Sequence, residues 1–290
     1  MASTYREMAS TYREILKYAN SKLKKTNEGL WLLEELSNTD RSGLYLKLDE
    51  VVDDQTFQNC ISKVDEVAAG LPIQYAIGYW QFRTIRLKVD NRCLIPRVET
   101  EKLVDLSLDI IKTLGKSEIR IIDLGTGSLC IPLSIAAEYK GDAVLKIYAV
   151  DFSDGALEIA KENLAKYSKL KPSIQIIKSS WFDSLDSKLK STFDLVISNP
   201  PYLDKDVSLS RSVSEFEPHI ALFSEDKGSF DTNLIINEAK SWMTAGGTLI
   251  IETDPVIALK VLAECEKNGY KEIELIRDQF GEVRFLKATA

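Results

Sequence analysis

The sequence is poor in histidine and in paired cysteines. Its 290 residues contain one histidine, His219, which excludes zinc and iron sites that need several histidines. A Ser-His-Asp triad is disfavoured for the same reason, because only this residue offers a base. The cysteines are far apart and form no C-x-x-C pair; they are Cys60, Cys93, Cys130 and Cys265. Isolated cysteines in a chain of this length predict buried thiols in a reducing compartment.

Long apolar runs and a basic charge balance are also absent. No apolar stretch approaches the roughly 20 residues of a membrane span, and we expect no secretory signal peptide and no membrane partner. Acidic residues number 44 against 37 basic ones, a net charge of −7 at pH 7. Affinity for the nucleic-acid backbone depends on lysine and arginine side chains that contact phosphates. Because acidic residues outnumber basic ones, direct nucleic-acid binding is not expected. The length and a hydrophobic content of 44% predict a globular protein of about two domains.

The N-terminal third of the chain predicts helices followed by a β-hairpin. Residues 1–7 (MASTYRE) recur as residues 8–14, and we interpret the first copy as a duplicated start region or cloning remnant outside the fold. Apolar residues then recur at helical spacing up to about Gly70. The alternating stretch 77–90 predicts the hairpin. We predict a helical substrate-recognition domain over residues 8–76, a hairpin linker over 77–97 and a ligand-binding domain over 98–290.

From residue 115 onward, strand-like and helix-like segments alternate. The predicted strands are 119–124, 145–150, 174–177, 193–198 and 248–252, and the predicted helices between and after them are 131–139, 155–167, 230–243 and 256–268. Such alternation predicts an α/β fold with a parallel sheet and helices on both faces. Two final strands, 272–277 and 283–287, flank Gly281 closely, and this short connection favours an antiparallel pair.

Two motifs at the ends of predicted strands indicate a nucleoside ligand. Asp123–Gly127 (DLGTG) follows the first strand, and its glycines allow the backbone to approach a ligand at a helix N-terminus. Asp151 ends the second strand, where a carboxylate suits the two hydroxyls of a ribose. A plain turn and a helix N-cap are the alternative interpretations. Cys130 stands where G-x-G-x-x-G needs its third glycine, which disfavours a dinucleotide.

The segment Asn199-Pro200-Pro201-Tyr202, directly after the fourth strand, carries the strongest chemical signal. Two successive prolines fix φ and remove two donors, so the carbonyls there can only accept hydrogen bonds. The asparagine adds an amide oxygen and the tyrosine a flat face. This combination predicts a stiff cradle for a planar amino group, the alternative being a plain turn.

These residues together resemble a known enzyme class. DLGTG, Asp151 and NPPY are similar to the class I S-adenosylmethionine-dependent methyltransferases that modify amino nitrogens. Leu94–Glu101 (LIPRVETE) resembles the LIPRPETE segment of the HemK/PrmC family, the glutamine methyltransferases of peptide-chain release factors. Smaller similarities are Pro72–Tyr75 with Gly78, Glu217-Pro218 with Ala221-Leu222, and Gly281 with Arg284-Phe285. The resemblance covers about residues 10–287.

The resemblance implies a Rossmann-like class I methyltransferase sheet, mostly parallel with a C-terminal antiparallel strand, beside a small N-terminal helical domain. It implies S-adenosylmethionine as cofactor, S-adenosylhomocysteine as product and no metal. By the same resemblance the methionine-side loop consists of Gly125, Thr126, Gly127, Ser128 and Leu129. Asp151 holds the ribose, and Trp181 lies near the adenine unless it is a core aromatic. Asn199, Pro200, Pro201 and Tyr202 bind the substrate amide, with Asn199 also at the cofactor.

The implied reaction is methyl transfer to the side-chain amide of the glutamine in the GGQ motif of a release factor. A monomer is expected, in the cytoplasm, or in the mitochondrial matrix of a eukaryote. Two alternatives stay open: an adenine-amino methyltransferase of nucleic acids, which needs a basic face, and a non-catalytic scaffold that binds cofactor weakly. The scaffold is raised by Leu129, which replaces the third glycine of DLGTGSG. We expect its side chain to point away from the cofactor, onto the helical domain. Arg97, Glu99 and Glu101 either shape the substrate entrance or act as helix caps.

Overall fold

The computed structural model describes residues 11–23, 25, 27–170 and 173–290. The first MASTYRE copy, and our interpretation of it, lie outside these residues. The chain divides into two compact units. Among the described residues, one unit lies within Met1–Gly78 and Ser210–Phe216, and the other within Tyr79–Leu209 and Glu217–Ala290.

The first unit is helical, as predicted. Its helices are α1 (Tyr12–Lys22), α2 (Glu28–Leu36), α3 (Arg41–Lys47), α4 (Asp54–Ala68), α5 (Ile73–Ile77) and, later in the chain, α9 (Arg211–Phe216). Thr11 and Glu14 form a capping box that starts α1, and the Asp53 side chain accepts from the Thr56 N–H to start α4. Ile15 and Leu33 are fully buried in the core between these helices.

The predicted hairpin is present but is not a separate linker. Strands β1 (Tyr79–Phe82) and β2 (Ile85–Lys88) pair antiparallel. Phe82, Ile85 and Leu87 are buried in the main apolar core of the second unit. The Asn163 side chain accepts from the Lys88 N–H at 2.7 Å and donates to the Lys88 carbonyl at 3.0 Å. These contacts make the hairpin part of the second unit, which starts at Tyr79.

The second unit is built around a seven-stranded sheet. Its strands are β3 (Glu118–Leu124), β4 (Val144–Asp151), β5 (Ser173–Lys178), β6 (Phe193–Ser198), β7 (Met243–Glu252), β8 (Lys271–Arg277) and β9 (Val283–Thr289). Their spatial order is β5-β4-β3-β6-β7-β9-β8. The pairs from β5 to β7 are parallel, whereas β9 runs antiparallel to both of its neighbours. The predicted fold class and the antiparallel C-terminal strand are therefore confirmed.

Helices cover this sheet, and the carboxyl ends of its parallel strands form one common edge. The helices are α6 (Glu101–Thr113), α7 (Cys130–Glu138), α8 (Asp154–Lys166), α11 (Phe230–Trp242) and α12 (Ala258–Lys267), with a four-residue turn labelled α10 (Glu225–Gly228) whose Asp226 and Lys227 have left-handed backbone angles. Every residue of the central strand β6 is buried, as expected for a parallel strand covered on both faces. The carboxyl ends of β3, β4, β6 and β7 lie along one sheet edge. All four cysteines are buried and free, as predicted. Among the described helices, none is both long and apolar enough to cross a membrane.

Candidate active site

The loop between β3 and α7 forms one wall of the site. Gly125 has φ of +73° and Gly127 of +53°, left-handed values that glycine adopts without strain. The N–H groups of Gly125 and Thr126 both donate to the Val150 carbonyl at 2.9 Å, which holds the loop against the end of β4. The DLGTG segment is therefore a tight turn at the carboxyl edge of the sheet, where ligands bind in open α/β folds.

Asp123 is buried beneath this loop. Its Oδ2 accepts from the Thr126 hydroxyl at 2.6 Å, whereas its Oδ1 has no hydrogen-bond partner among the described residues. Burial raises the pKa of Asp123 to about 7. Asp123 does not line the cavity described below, so it supports the loop from beneath through Thr126.

Asp151 joins the ends of two strands. Its Oδ2 accepts from the Gly127 N–H at 2.8 Å and its Oδ1 from the Ser153 N–H at 2.9 Å. Burial raises the pKa of this carboxyl, and the two backbone N–H groups oppose that shift. The N-cap of α8 is Ser153, whose hydroxyl accepts from the Ala156 N–H, so Asp151 is not the helix cap. Each carboxylate oxygen retains a lone pair for a further donor.

A cavity of about 270 Å³ lies between these segments within the second unit. Of the predicted site residues, Gly125, Gly127, Asp151, Trp181, Asn199 and Pro201 line it. Thr126 and Ser128 are buried behind the loop, and Pro200 is buried after β6. The cavity brings together the ends of β3, β4 and β6, which the sequence places far apart.

The residues present fit S-adenosylmethionine. The glycine loop allows close approach of a ligand, and the Asp151 carboxylate at the end of β4 offers an acceptor suited to a ribose hydroxyl. A Cβ added at Gly125 would lie 3.6 Å from the Trp181 ring and 3.8 Å from the Asn199 carbonyl, which are ordinary contact distances, so the left-handed φ of +73° is what favours glycine there. The roles of the individual residues toward the cofactor stay predictions.

Leu129 departs from the expected surroundings. Its side chain is fully buried in the core of the second unit, in a cluster that includes Phe82, Leu87 and Leu133, and not on the helical domain. It does not line the cavity. Its φ of +70° is left-handed, so the position retains the backbone conformation of a glycine while its side chain packs in the core.

Ser128 ties the same loop to the hairpin. Its carbonyl accepts at 2.9 Å from the Asn163 side chain, the same amide that holds Lys88. Asn163 is 1% exposed, so these hydrogen bonds are shielded from water. This polar link joins the loop between β3 and α7 to β2 and α8.

Trp181 combines the two roles that the sequence left open. Its ring lines the cavity and also packs against the apolar core beside Phe182 and Trp242. Its backbone has φ of +45°, an uncommon conformation for a bulky residue. Whether it contacts adenine stays a prediction.

The NPPY segment is held by two residues that the sequence analysis did not select as site residues, Thr100 and Glu252. The Asn199 Nδ2 donates to the Thr100 hydroxyl at 3.0 Å, and that hydroxyl donates to Glu252 Oε2 at 2.7 Å. The Tyr202 hydroxyl donates to Glu252 Oε1 at 3.2 Å. Burial, and next the Glu252 carboxylate, raise the pKa of Tyr202, so its hydroxyl stays protonated.

The charged residues of the LIPRVETE segment have distinct contacts. Arg97 donates to Glu217 at 2.7 Å, and this buried carboxylate also accepts from the Ile95 N–H at 3.2 Å. Glu101 accepts from the Arg83 N–H at 3.3 Å. Arg97 therefore joins two of the segments singled out by the resemblance, around residues 94–101 and 217–222. A role for Arg97, Glu99 or Glu101 at a substrate entrance stays a prediction.

Known proteins resemble this chain along nearly its whole length. The PrmC N-terminal domain matches residues 14–78 and the methyltransferase domain matches residues 115–281. The release factor glutamine methyltransferase of Francisella tularensis is 33% identical over 255 residues, which is 88% of this chain and 87% of that protein. The one from Rhodopirellula baltica is 37% identical over 266 residues, 88% of this chain and 86% of that protein.

A solved structure is also similar. The ribosomal protein L11 methylase of Lactobacillus delbrueckii superposes with a TM-score of 0.45 and 19% identity, covering 67% of this chain and 79% of that one. The two curated relatives are aligned over more than four-fifths of both chains, at 33% and 37% identity. On that measure, the chain belongs to the family of release factor glutamine methyltransferases.

Proposed function

We propose that this protein transfers a methyl group from S-adenosylmethionine to the side-chain amide nitrogen of the GGQ glutamine in a peptide-chain release factor. The observation that carries the proposal is the position of Asn199. It lines the same cavity as the glycine loop and Asp151, so a substrate amide bound at Asn199 would lie beside a cofactor bound at the loop. The names of the relatives support the glutamine as substrate.

The cradle is built from acceptors. Because the Asn199 Nδ2 already donates to Thr100, its Oδ1 is left to accept from a substrate N–H. The Pro200 carbonyl is the second acceptor, and proline supplies no competing donor. Two acceptors that engage both N–H groups of a glutamine amide orient its nitrogen. They also favour the positive charge that develops on the nitrogen during methyl transfer.

Positioning is the main contribution that these residues make. An amide nitrogen is a weak nucleophile because its lone pair is delocalised, so its geometry toward the methyl group decides the rate. The sulfonium of the cofactor supplies an activated methyl group and a good leaving group. Near-attack placement, which we assign to Asn199, Pro200 and Tyr202, can supply roughly 7–11 kcal/mol of such a barrier. Transfer leaves the nitrogen with a positive charge, and this strongly acidic N-protonated amide releases its extra proton to water, so the chemistry needs neither a histidine base nor a metal.

The finer features of the proposal follow from the sequence. We propose S-adenosylhomocysteine as product, no metal requirement, a monomer, and no direct binding of nucleic acid, in keeping with the net charge of −7. The compartment is the cytoplasm, or the mitochondrial matrix if the source is a eukaryote. Light scattering during gel filtration tests the monomer.

The decisive experiment incubates the protein with methyl-labelled S-adenosylmethionine and an intact release factor. Mass spectrometry then locates the methyl group. We expect it on the GGQ glutamine, and not on a release factor whose GGQ glutamine is replaced by alanine. Equal or faster labelling of an adenine-containing oligonucleotide would favour the nucleic-acid alternative. Absence of labelling from both substrates would favour the scaffold.

Asn199→Ala tests the residue that carries the proposal. Loss of a preorganised acceptor should lower single-turnover methylation by about a hundredfold. Cofactor affinity and thermal stability serve as controls, because loop residues rarely carry a core. A rate within about twofold of the unmodified protein would remove Asn199 from the cradle.

A further inference from the structure

A closed chain of hydrogen bonds connects the two ends of the NPPY segment through the protein interior. It runs from Asn199 Nδ2 to the Thr100 hydroxyl, from there to the Glu252 carboxylate, and back to the Tyr202 hydroxyl, with distances of 3.0, 2.7 and 3.2 Å. Thr100 and Glu252 are each 1% exposed. Neither residue lines the cavity. They contact Asn199 and Tyr202 from the protein interior, away from the cavity.

The order of donors along this chain fixes the orientation of the asparagine. A hydroxyl has one proton, and that of Thr100 is used on the buried Glu252 carboxylate. Thr100 can therefore only accept from Asn199, which requires the Nδ2 side of the amide to face it. A flipped asparagine would place its oxygen against the Thr100 oxygen with no proton between them. The Asn199 oxygen is thereby left for the cavity.

We propose that Thr100 and Glu252 are positioning residues that set the amide orientation of Asn199 and hold Tyr202 for methyl transfer. The inference rests on the function proposed above. It assigns a task to a buried carboxylate that otherwise has no evident use. An apolar pair of similar volume would avoid the desolvation cost of the carboxylate.

The groups around Glu252 set the pKa of its carboxyl and thereby the pH range in which the hydrogen bonds run in the order given above. Burial raises the pKa of Glu252 to about 7, Arg284 from β9 opposes that shift, and Glu99 before α6 adds to it. Arg284 is shared with Asp254 and Asp278, at 3.7 and 3.8 Å. The ionised carboxylate accepts from both hydroxyls, whereas the protonated one can donate to Thr100 and reverse the chain. Turnover should therefore fall as the pH drops below about 7.

The test compares variants at Thr100 with a matched control. Thr100→Val keeps the shape and removes the hydroxyl, while Thr100→Ser keeps the hydroxyl. Thr253→Val is the control, because Thr253 directly follows Glu252, is fully buried, and its hydroxyl has no partner within the part of the chain that the structure describes. Each variant is assayed with an intact release factor, with thermal unfolding and cofactor affinity recorded alongside.

We expect Thr100→Val to lower kcat at least tenfold, with KM for the release factor and cofactor affinity within about threefold. Thr100→Ser and Thr253→Val should stay within about threefold in all three. Glu252→Gln should remove the acidic limb of the kcat profile. Equal losses in Thr100→Ser and Thr100→Val, or an unchanged kcat in Thr100→Val, would overturn the inference.

A readout without turnover separates this inference from the proposed function. The side-chain amide protons of Asn199, assigned by their absence in Asn199→Ala, should exchange with solvent faster in Thr100→Val than in the unmodified protein. Equal exchange in the two proteins would refute the positioning role. If the unmodified protein does not methylate glutamine, the proposed function fails and the exchange result still decides the orientation.

Discussion

Replacing Leu129 by glycine has two opposing effects on stability. The side chain is fully buried in the core of the second unit, and removal of a buried leucine costs about 2–5 kcal/mol. Its φ of +70° is left-handed, which costs an L-residue about 1–2 kcal/mol that glycine does not incur. The loss of burial outweighs the relief of backbone strain, so Leu129→Gly should lower the free energy of unfolding by about 1–3 kcal/mol.

A matched pair of alanine and glycine variants isolates the contribution of the backbone. Leu129→Ala keeps the left-handed strain and loses most of the same contacts, so it should be less stable than Leu129→Gly by about 1 kcal/mol. Leu133 provides the control, because it is fully buried in the same cluster but lies inside α7. There the order should reverse, with glycine less stable than alanine by about 1 kcal/mol.

Urea denaturation of these four variants measures both differences. Cofactor affinity, measured by calorimetry, should stay within about threefold in Leu129→Gly, because Leu129 does not line the cavity. The same order of alanine and glycine at both positions would refute the role of the backbone. A large gain in affinity without loss of stability would show that the leucine crowds the cofactor. It would then favour the alternative of a non-catalytic scaffold that binds the cofactor weakly.

Three further predictions each concern one residue. Asp151→Ala should weaken S-adenosylmethionine binding by about tenfold or more, since a hydrogen bond to a charged group contributes about 1.5–3 kcal/mol; unchanged calorimetric affinity would contradict this. Burial raises the pKa of Glu252 from 4.5 in the unfolded chain to about 7 in the folded protein. The folded protein therefore holds this proton more tightly, and its free energy of unfolding should fall by roughly 3 kcal/mol as the pH rises from about 4.5 through 7. Urea midpoints from pH 5 to 8 should fall less steeply in Glu252→Gln, and equal slopes would argue against the shift. Gly228→Ala would drive a Cβ into the Tyr202 carbonyl at a φ of +89°, so it should lower both stability and methylation; normal values of both would show that α10 does not constrain the cradle.

The fold followed from the sequence where one local pattern determines one element. The apolar run 193–198 became the fully buried strand β6, and the short connection around Gly281 became an antiparallel pair. The hairpin was harder to place, because its membership in the second unit depends on Asn163, 75 residues from Lys88. Sequence periodicity carries no information about such a distant partner.

The candidate site was predictable to a similar extent. Asp151 and Asn199 stand at strand ends, which is a local signal, and the cavity brings them together. Thr100 and Glu252 are 152 residues apart, and their contact depends on α6, which Thr100 precedes, packing against β7. One signal was available: Glu252 is an acid that ends a strongly apolar strand at the same sheet edge as Asp151. The left-handed backbone of Leu129 had no such signal, because leucine rarely adopts it.

The buried amide of Asn163 makes distant segments respond to one another. It holds Lys88 in β2 by two hydrogen bonds and Ser128 in the loop between β3 and α7 by a third, all from α8. Exposing any of these groups to water requires the same side chain to give up its partners, so they should open in a shared fluctuation. A ligand seated against the loop stabilises only the closed form of that fluctuation. Addition of S-adenosylmethionine should therefore slow hydrogen exchange at the hairpin amide of Lys88, although Lys88 does not line the cavity.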